Sequence, residues 1–309
     1  MTPPPRQSAL APFGAEALAT LDMTVVLTVG ACVLFLIVAL LFALALRAPG
    51  GRLTHDQGMR LVLIAGAAIP TLLLAGLLLY ALPKMRPLPV PGDALAIAVS
   101  GEQFWWRVVY RAPGAPALET ANEVRVPVGR TVVLSLASPD VIHSFWVPGL
   151  AGKMDMIPGR ANRLVVRAEK AGRYRGQCAE FCGLSHALMA FDVVAMPPAA
   201  FDAWLATQAA LPPRPGASAR PGMAAFARHG CGACHAIRGT PHDAAIGPDL
   251  TRFGARATVA AGILPNTAGN AARFIRNAPA IKPGARMPAY PAMPPADAAA
   301  IARYLVALK

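Results

Sequence analysis

Charged residues are scarce in this chain of 309 residues. Asp, Glu, Lys and Arg together make up 15% of it, whereas hydrophobic residues make up 55%. A typical soluble domain is about 25% charged. The composition therefore excludes a pair of ordinary soluble domains and implies membrane-embedded segments. The 31 prolines and 27 glycines exclude a mainly helical transporter and indicate turns and linkers.

Acidic residues are the scarcer charge, and the shortage is uneven. The chain has 16 acidic residues against 29 basic ones, and residues 211–309 carry 12 basic but only 3 acidic residues. No nucleic-acid-binding motif accompanies this excess, so we expect no nucleic-acid partner. An acidic protein surface is the partner that such a basic region predicts.

Cysteine and histidine are also rare. The five cysteines form two close pairs and one single residue inside an apolar run, which argues against a disulfide framework and for metal or haem binding. The chain has only six histidines and two long apolar runs. It therefore has few imidazole ligands and few membrane-spanning runs with which to hold a metal centre inside the membrane by itself.

Two long runs contain no charge at all. Met23–Leu46 has 24 residues and Leu61–Leu82 has 22. At 1.5 Å per residue each run exceeds the roughly 30 Å hydrocarbon core, so we predict two transmembrane helices. Pro70 should kink the second one. The first run is too long for a signal peptide and lacks a basic start.

The loop between the two runs is basic, with Arg47, Arg52 and Arg60 against Asp56. The positive-inside rule therefore predicts a cytoplasmic loop and both termini outside.

The remaining sequence reads as two modules. Short β-like segments follow the second run, punctuated by Gly and Pro, and predict an antiparallel sandwich or barrel. The candidate strands are Ala94–Val99, Trp105–Tyr110, Val124–Val128, Val132–Leu136, Arg163–Val166 and Phe191–Ala195. Helical patterns over Gly222–His229 and Ala296–Leu308 follow a Pro-rich stretch. The predicted organisation is a loosely ordered N-terminal segment (1–22), two helices with a spacer (23–92), a β domain (93–205), a linker (206–221) and a helical domain (222–309).

Cys231, Cys234 and His235 form a C-x-x-C-H motif. Two thiols at this spacing can bond the vinyl groups of a haem, and the adjacent imidazole can then bind the iron. A chance pair, a zinc knuckle or a redox dithiol is the alternative. His229 and His242 are expected to be surface residues.

The sixth iron ligand should be a methionine downstream of this motif, and Met287 and Met293 are the candidates. Residues 282–288 (Lys-Pro-Gly-Ala-Arg-Met-Pro) and 247–250 (Gly-Pro-Asp-Leu) resemble segments of class I cytochromes c. That resemblance favours Met287.

Residues 178–189 concentrate soft ligands. Cys178, Cys182, His186 and Met189 lie within twelve residues, and sulfur together with imidazole suits copper. Two thiolates can bridge two coppers, and His143 after a candidate strand could supply a second imidazole. A structural disulfide between the two cysteines is the alternative.

With these motifs and residues 153–160 (Lys-Met-Asp-Met-Ile-Pro-Gly-Arg), the chain from about residue 23 to 309 resembles subunit II of cytochrome c oxidase, in the caa-type form with a fused cytochrome c. The resemblance implies a cupredoxin-like Greek-key barrel with a binuclear copper A centre, followed by an all-α class I cytochrome c domain with covalent haem c. The implied copper ligands are His143, Cys178, Cys182, His186, Met189 and the backbone carbonyl of Glu180.

The resemblance also assigns residues around this centre. The Glu180 carboxylate is expected to bind magnesium at the interface with subunit I, and a carboxylate oxygen suits that ion. Asp155 is expected near the same interface, although Asp155 and Arg160 could instead be an ordinary turn-stabilising pair.

One departure from the family concerns the aromatic residue through which electrons commonly reach copper A. A tryptophan usually follows Gly-x-Gln, but here residues 101–103 are followed by Phe104, Trp105 and Trp106. These three are the candidate electron-transfer residues, and the alternative is that they only pack the barrel.

The implied function is to pass electrons from an external donor, through haem c and copper A, to a separate subunit that reduces dioxygen with proton pumping. Its expected partners are subunit I, subunit III, a periplasmic donor such as a cytochrome, and membrane lipid. The expected location is the bacterial inner membrane, with both soluble domains on the periplasmic face. The alternatives are the copper A subunit of a nitric-oxide reductase, or a membrane-anchored electron carrier or copper-handling protein without a catalytic partner.

Overall fold

The computed structural model describes residues 5–47, 53–111, 116–212 and 216–309. Arg52, residues 1–4 of the N-terminal segment and residues 213–215 of the predicted linker lie outside the described residues. The chain divides into two compact units, of which Leu18–Leu88 is one and Met1–Ala17 with Pro89–Lys309 is the other.

The smaller unit is helical and confirms the predicted apolar spans. Helix α1 is Ala15–Arg47, α2 is His55–Leu63 and α3 is Ile69–Lys84, with a π-helical turn at Ile64–Ala68 between the last two. Two continuous stretches, Ala15–Arg47 and His55–Lys84, are long and apolar enough to cross a membrane. The π-helical turn ends two residues before Pro70, the position at which the sequence predicts a kink.

The larger unit begins with a β-sandwich of two five-stranded sheets, ordered β3-β2-β1-β5-β8 and β4-β10-β9-β6-β7. Antiparallel pairs dominate, but β1 pairs with β5 and β4 pairs with β10 in parallel. The strands are β1 Leu95–Glu102, β2 Trp105–Arg111, β3 Leu118–Ala121, β4 Glu123–Pro127, β5 Thr131–Ala137, β6 His143–Trp146, β7 Met154–Met156, β8 Asn162–Arg167, β9 Gly172–Cys178 and β10 Ala190–Met196.

All six predicted strands are confirmed, because alternate residues face a buried core. In β2, for example, Trp106, Val108 and Tyr110 are buried while their neighbours are partly exposed. The sequence pattern missed β3, β6, β7 and β9. Two of these, β6 and β9, carry the candidate copper ligands.

The N-terminal segment is not loosely ordered where it is described, which corrects the sequence-based expectation. The backbone N–H of Arg6 donates to the carbonyl of Arg173, and that of Phe13 donates to Gly149. The Phe13 ring is buried and stacks on Tyr174. This burial of an aromatic ring anchors the segment to the sandwich.

Helix α4, Pro198–Ala209, follows the sandwich and packs Phe201 and Trp204 near Tyr110. The cytochrome-like part contains α5 Arg220–Arg228, α6 Ala268–Arg276, α7 Ala278–Ile281, α8 Pro295–Ala307 and a small ladder of β11 Thr258–Val259 with β12 Leu264–Pro265.

Helices α5 and α8 cross at close range. The rings of Phe226 and Tyr304 are 6.2 Å apart between centroids, in edge-to-face geometry. At the crossing point a Cβ on Gly222 would lie 2.3 Å from the carbonyl oxygen of Ala300, so the two backbones touch. The pattern missed α6, whose buried residues complete this core.

Candidate metal and haem sites

Sheet topology assembles the copper-type ligands. His143 begins β6, Cys178 ends β9, and the register between these strands pairs Phe145 with Cys178. Cys182, His186 and Met189 lie on the loop from β9 to β10. Residues 35 or more positions apart in sequence therefore meet at one end of the sandwich.

The ligand atoms form one compact cluster. The Cys178 and Cys182 sulfurs are 3.8 Å apart, His143 Nδ1 is 3.8 Å from the Cys178 sulfur, and His186 Nδ1 is 3.7 Å from the Cys182 sulfur. The Met189 sulfur is 3.8 Å from Cys182. Ligand atoms of His143, Cys178 and Cys182 all lie within 4.8 Å of one another. Both cysteines are free thiols, so the disulfide alternative is wrong.

The Cys178 and Cys182 sulfurs lie close enough to hydrogen-bond to each other. Their mutual hydrogen bond lowers the pKa of Cys178 and raises the pKa of Cys182, as close like-charged groups do. A buried sulfur pair that carries negative charge, flanked by two imidazoles and a thioether, is the donor set that soft metal ions such as copper prefer. The residues present therefore fit a copper centre.

Asp140 fixes the orientation of His143. Its Oδ1 lies 2.9 Å from His143 Nε2, so the Nδ1 atom is left to face the sulfurs. Burial raises the pKa of Asp140, but hydrogen bonds from the Gln103 N–H and from His143 outweigh burial and lower it. The fully buried His143 ring also lies against Gly101, where a Cβ would be 2.9 Å from its Cγ atom.

Glu180 contributes in two ways. Its backbone oxygen is 3.1 Å from the Cys178 sulfur, so it points into the cluster. Its carboxylate is half-exposed and lies 3.2 Å from the Lys153 ammonium, which is also 3.0 Å from Asp155. Asp155 thus pairs with Lys153, while Arg160 forms a turn through its backbone N–H to Ile157.

The C-x-x-C-H residues line a cleft of the helical domain. Cys231, Cys234, His235 and Met287 all face it. His235 Nδ1 lies 2.9 Å from the carbonyl oxygen of Pro248, which leaves Nε2 as the atom free to bind iron. Burial lowers the pKa of His235, which favours the neutral, ligating form.

Further features of the cleft suit a haem. A Cβ on Gly247 would lie 2.6 Å from His235 Cε1, so only glycine lets the imidazole stand there. Most of the remaining lining is apolar, as a porphyrin face requires. The residues present therefore fit haem c attached through the two cysteines.

The two candidate methionines differ in environment. Met287 lines the cleft, whereas Met293 is buried in the helical core. The two other histidines of the domain have partners instead of free ligand positions. His229 Nε2 lies 2.8 Å from Asp297, and the His242 ring packs on Phe226. Both are half-buried.

The three aromatic residues after Gln103 have different positions. Phe104 is buried and lines the cleft, and Trp105 also lines it while stacking under Arg107. Trp106 points into the sandwich core, 6.3 Å from the His143 ring between centroids. The cleft is thus bounded by residues of both the helical domain and the sandwich.

Sequence reasoning missed a direct contact between the copper loop, residues 178–189, and the segment that carries Met287, residues 282–288. The Ser185 hydroxyl donates to the carbonyl of Pro283 over 2.7 Å. Arg286, next to Met287, lies 3.4 Å from Asp140. The excess of basic residues in the last third is the signal that could have suggested such a contact. Other hydrogen bonds across this contact run from Arg107 to Ala245, from Arg175 to Gly262 and from Ala190 to Ala261.

Two protein families match the chain. Residues 109–196 match the family described as cytochrome c oxidase subunit II, periplasmic domain. Residues 219–309 match cytochrome c. The two matches cover the sandwich with the copper-type cluster and the domain with the C-x-x-C-H cleft.

Similar proteins include the cytochrome c oxidase subunit 2 of Alkalihalophilus pseudofirmus, which is 39% identical over 251 residues, or 81% of this chain and 70% of the relative. That of Bacillus subtilis is 32% identical over 82% of this chain and 76% of the relative. A crystal structure of the periplasmic domain of the subunit from Bradyrhizobium japonicum is 32% identical, with a TM-score of 0.36, over 39% of this chain and 96% of that one. The chain therefore belongs to the cytochrome c oxidase subunit 2 family, in the caa-type form with a fused cytochrome c domain, and is the subunit through which electrons enter a haem–copper oxidase.

Proposed function

We propose that the copper-type cluster holds two copper ions as a copper A centre. The single observation that carries this proposal is the buried pair of free thiols 3.8 Å apart, with an imidazole nitrogen within 3.8 Å of each sulfur. The proposed ligands are the Sγ atoms of Cys178 and Cys182, Nδ1 of His143 and His186, Sδ of Met189 and the backbone oxygen of Glu180.

Haem c is the second proposed group. Its thioether bonds would form with Cys231 and Cys234, and its iron would be bound by His235 Nε2 and Met287. The hydrogen bond from His235 to Pro248 supports this assignment, because it fixes the ring orientation. When bound, haem c and copper A supply one-electron transfer, from an external donor towards the catalytic subunit.

Phe104 is the proposed connection between the two sites, with Trp105 and Trp106 beside it. Phe104 lines the haem cleft and packs against Gly183 of the copper loop. The side chain of the preceding residue, Gln103, donates to the carbonyl of Cys182 over 2.6 Å. These contacts place the aromatic ring between the cleft and the loop that carries Cys182.

A magnesium ion at the Glu180 carboxylate is the third proposed group. The Lys153 ammonium forms ion pairs with both the Glu180 and the Asp155 carboxylates. Two carboxylates that share one exposed cation could exchange it for a divalent ion when subunit I covers this surface.

The remaining proposals concern the arrangement in the membrane. We propose that the two apolar helices anchor the chain in the bacterial inner membrane, with the copper and haem domains on the periplasmic face. Subunits I and III, lipid and a periplasmic electron donor would be the partners. The functional division is that predicted from the sequence: residues 23–92 for the anchor, 93–205 for copper A, 206–221 for the linker and 222–309 for haem c.

The variant Cys182→Ser tests the copper proposal in the purified oxidase complex. Loss of one bridging thiolate should abolish the mixed-valence copper A signal in electron-spin resonance and lower the copper-to-haem ratio, while the haem c absorption persists. Cys32→Ser is the matched control, because Cys32 is a free thiol on α1. A normal copper A signal in Cys182→Ser would refute the ligand assignment.

A further inference from the structure

Lys282 is a buried cation at the cleft. Its side chain lines the cleft together with Cys231 and His235, and the residue is only 3% exposed. Its ammonium donates one hydrogen bond of 3.1 Å to the carbonyl of Ala260. Among the described residues, Lys282 forms no ion pair: no carboxylate oxygen lies within 4.0 Å of its ammonium nitrogen.

A buried ammonium without an anion is costly. Burial lowers the pKa of Lys282 to about 7. Burying an unpaired charge is unfavourable, because the ion loses its hydration without gaining the attraction of an opposite charge. A neutral hydrocarbon side chain would fit such a position better, unless an anion is present when the cleft is filled.

Arg256 is a second cationic side chain that lines the same cleft. Its guanidinium donates to the carbonyl of Asp249, but its buried Nε atom has no hydrogen-bond partner among the residues that the structure describes. Arg256 and Ala260, the hydrogen-bond acceptor of Lys282, lie four residues apart on the segment that includes β11. Together with Arg286, these residues place three cationic side chains along an otherwise mostly apolar cleft.

Haem c brings two propionate carboxylates into this cleft. We propose that Lys282 binds a haem propionate and so turns this carboxylate edge of the haem towards the copper loop. The inference rests on the proposed haem c site and adds the residue that would position the group within it. The next residue, Pro283, accepts the hydrogen bond from Ser185, so the anchor of the haem and the contact with the copper loop are adjacent in sequence.

The variants Lys282→Met and Lys282→Arg test this in the intact oxidase complex. Haem propionates are labelled with ¹³C through labelled 5-aminolevulinate, and redox-induced infrared difference spectra identify their bands. Lys282→Met should shift the propionate bands. It should also lower the reduction potential of haem c. At a fixed applied potential, the ratio of reduced to oxidised haem c should fall at least tenfold, which corresponds to about 59 mV for one electron. Removing a nearby positive charge favours the more positive ferric state.

The control is Arg303→Gln, which removes an exposed charge from α8 of the same domain. Lys282→Arg keeps the charge. It should shift the propionate bands but leave the ratio of reduced to oxidised haem c, measured at fixed potential, within threefold of that in the unmodified complex. Propionate bands and a potential in Lys282→Met that match Arg303→Gln would overturn the inference. If Lys282→Met loses its haem, Lys282→Arg decides, and unchanged propionate bands there would overturn it. Absence of haem c from the unmodified complex would instead refute the proposed haem site.

Discussion

The contact between Gly101 and His143 allows a test of the copper site in which no ligand is changed. A Cβ at residue 101 would lie 2.9 Å from His143 Cγ and 3.0 Å from both Cβ and Cδ2. Carbon atoms in proteins pack at about 3.5–4.0 Å. Gly101→Ala therefore requires the imidazole or the β1 backbone to move by about half an ångström or more.

The imidazole has little freedom to absorb this movement elsewhere. It is fully buried, and its Nε2 is held 2.9 Å from Asp140. Overpacking of this kind costs about 1–3 kcal/mol. A functional constellation tolerates a displacement of about 0.5 Å, so the shift is at the limit for a copper ligand.

We therefore expect Gly101→Ala to change the copper A hyperfine pattern in electron-spin resonance and to reduce the copper content of the purified complex, with haem c unchanged. Gly152→Ala is the matched control, because no atom lies within 4 Å of a Cβ at that position. A Gly101→Ala complex with the copper content and spectrum of Gly152→Ala would refute the argument that His143 is sterically fixed as a ligand.

Three further predictions concern the haem and its contact with the copper loop. Met287→Ala should remove the weak methionine–iron absorption band and let carbon monoxide bind ferrous haem c. Met293→Ala should only destabilise the helical core, by about 2–5 kcal/mol. The reverse pattern in the absorption spectra of the two variants would show that Met293 is the iron ligand. Ser185→Ala removes the hydrogen bond to Pro283, worth about 1 kcal/mol, and should slow haem-to-copper electron transfer about fivefold in flash photolysis without altering the copper A spectrum; an unchanged rate would argue against this contact. Deletion of the residues after Gln208 should slow turnover at limiting natural donor, because a tethered haem acts at about millimolar effective concentration, and steady-state oxygen uptake at low and high donor concentration checks this.

Local sequence chemistry was sufficient to identify the chemistry of both sites. The C-x-x-C-H motif and the cluster at residues 178–189 place most ligands within a few residues of one another. Spacing along the chain then limits what they can bind. The two uncharged runs were equally readable, because a membrane span needs only length and apolar composition.

Strand prediction missed the two strands that carry candidate copper ligands, because their sequences do not show a clear alternation of large apolar and polar residues. β6 is only four residues long and three of them are buried, so it shows no period of two. β9 has Gly172 and Gly176 in its seven residues. The strands that carry His143 and Cys178 were therefore among those that the pattern missed.

Sequence by itself indicated the candidate donor atoms, the two apolar helices and the division into a β and a helical module, because each depends on residues close together in the chain. Only the tertiary structure showed which distant residues meet: His143 with Cys178, Met287 with the lining of the cleft, and Phe104 with both sites. It also placed Ser185 against Pro283 and buried Lys282 without an anion. Such contacts arise from sheet register and from the packing of one domain on another, and neither has a local signal in the sequence.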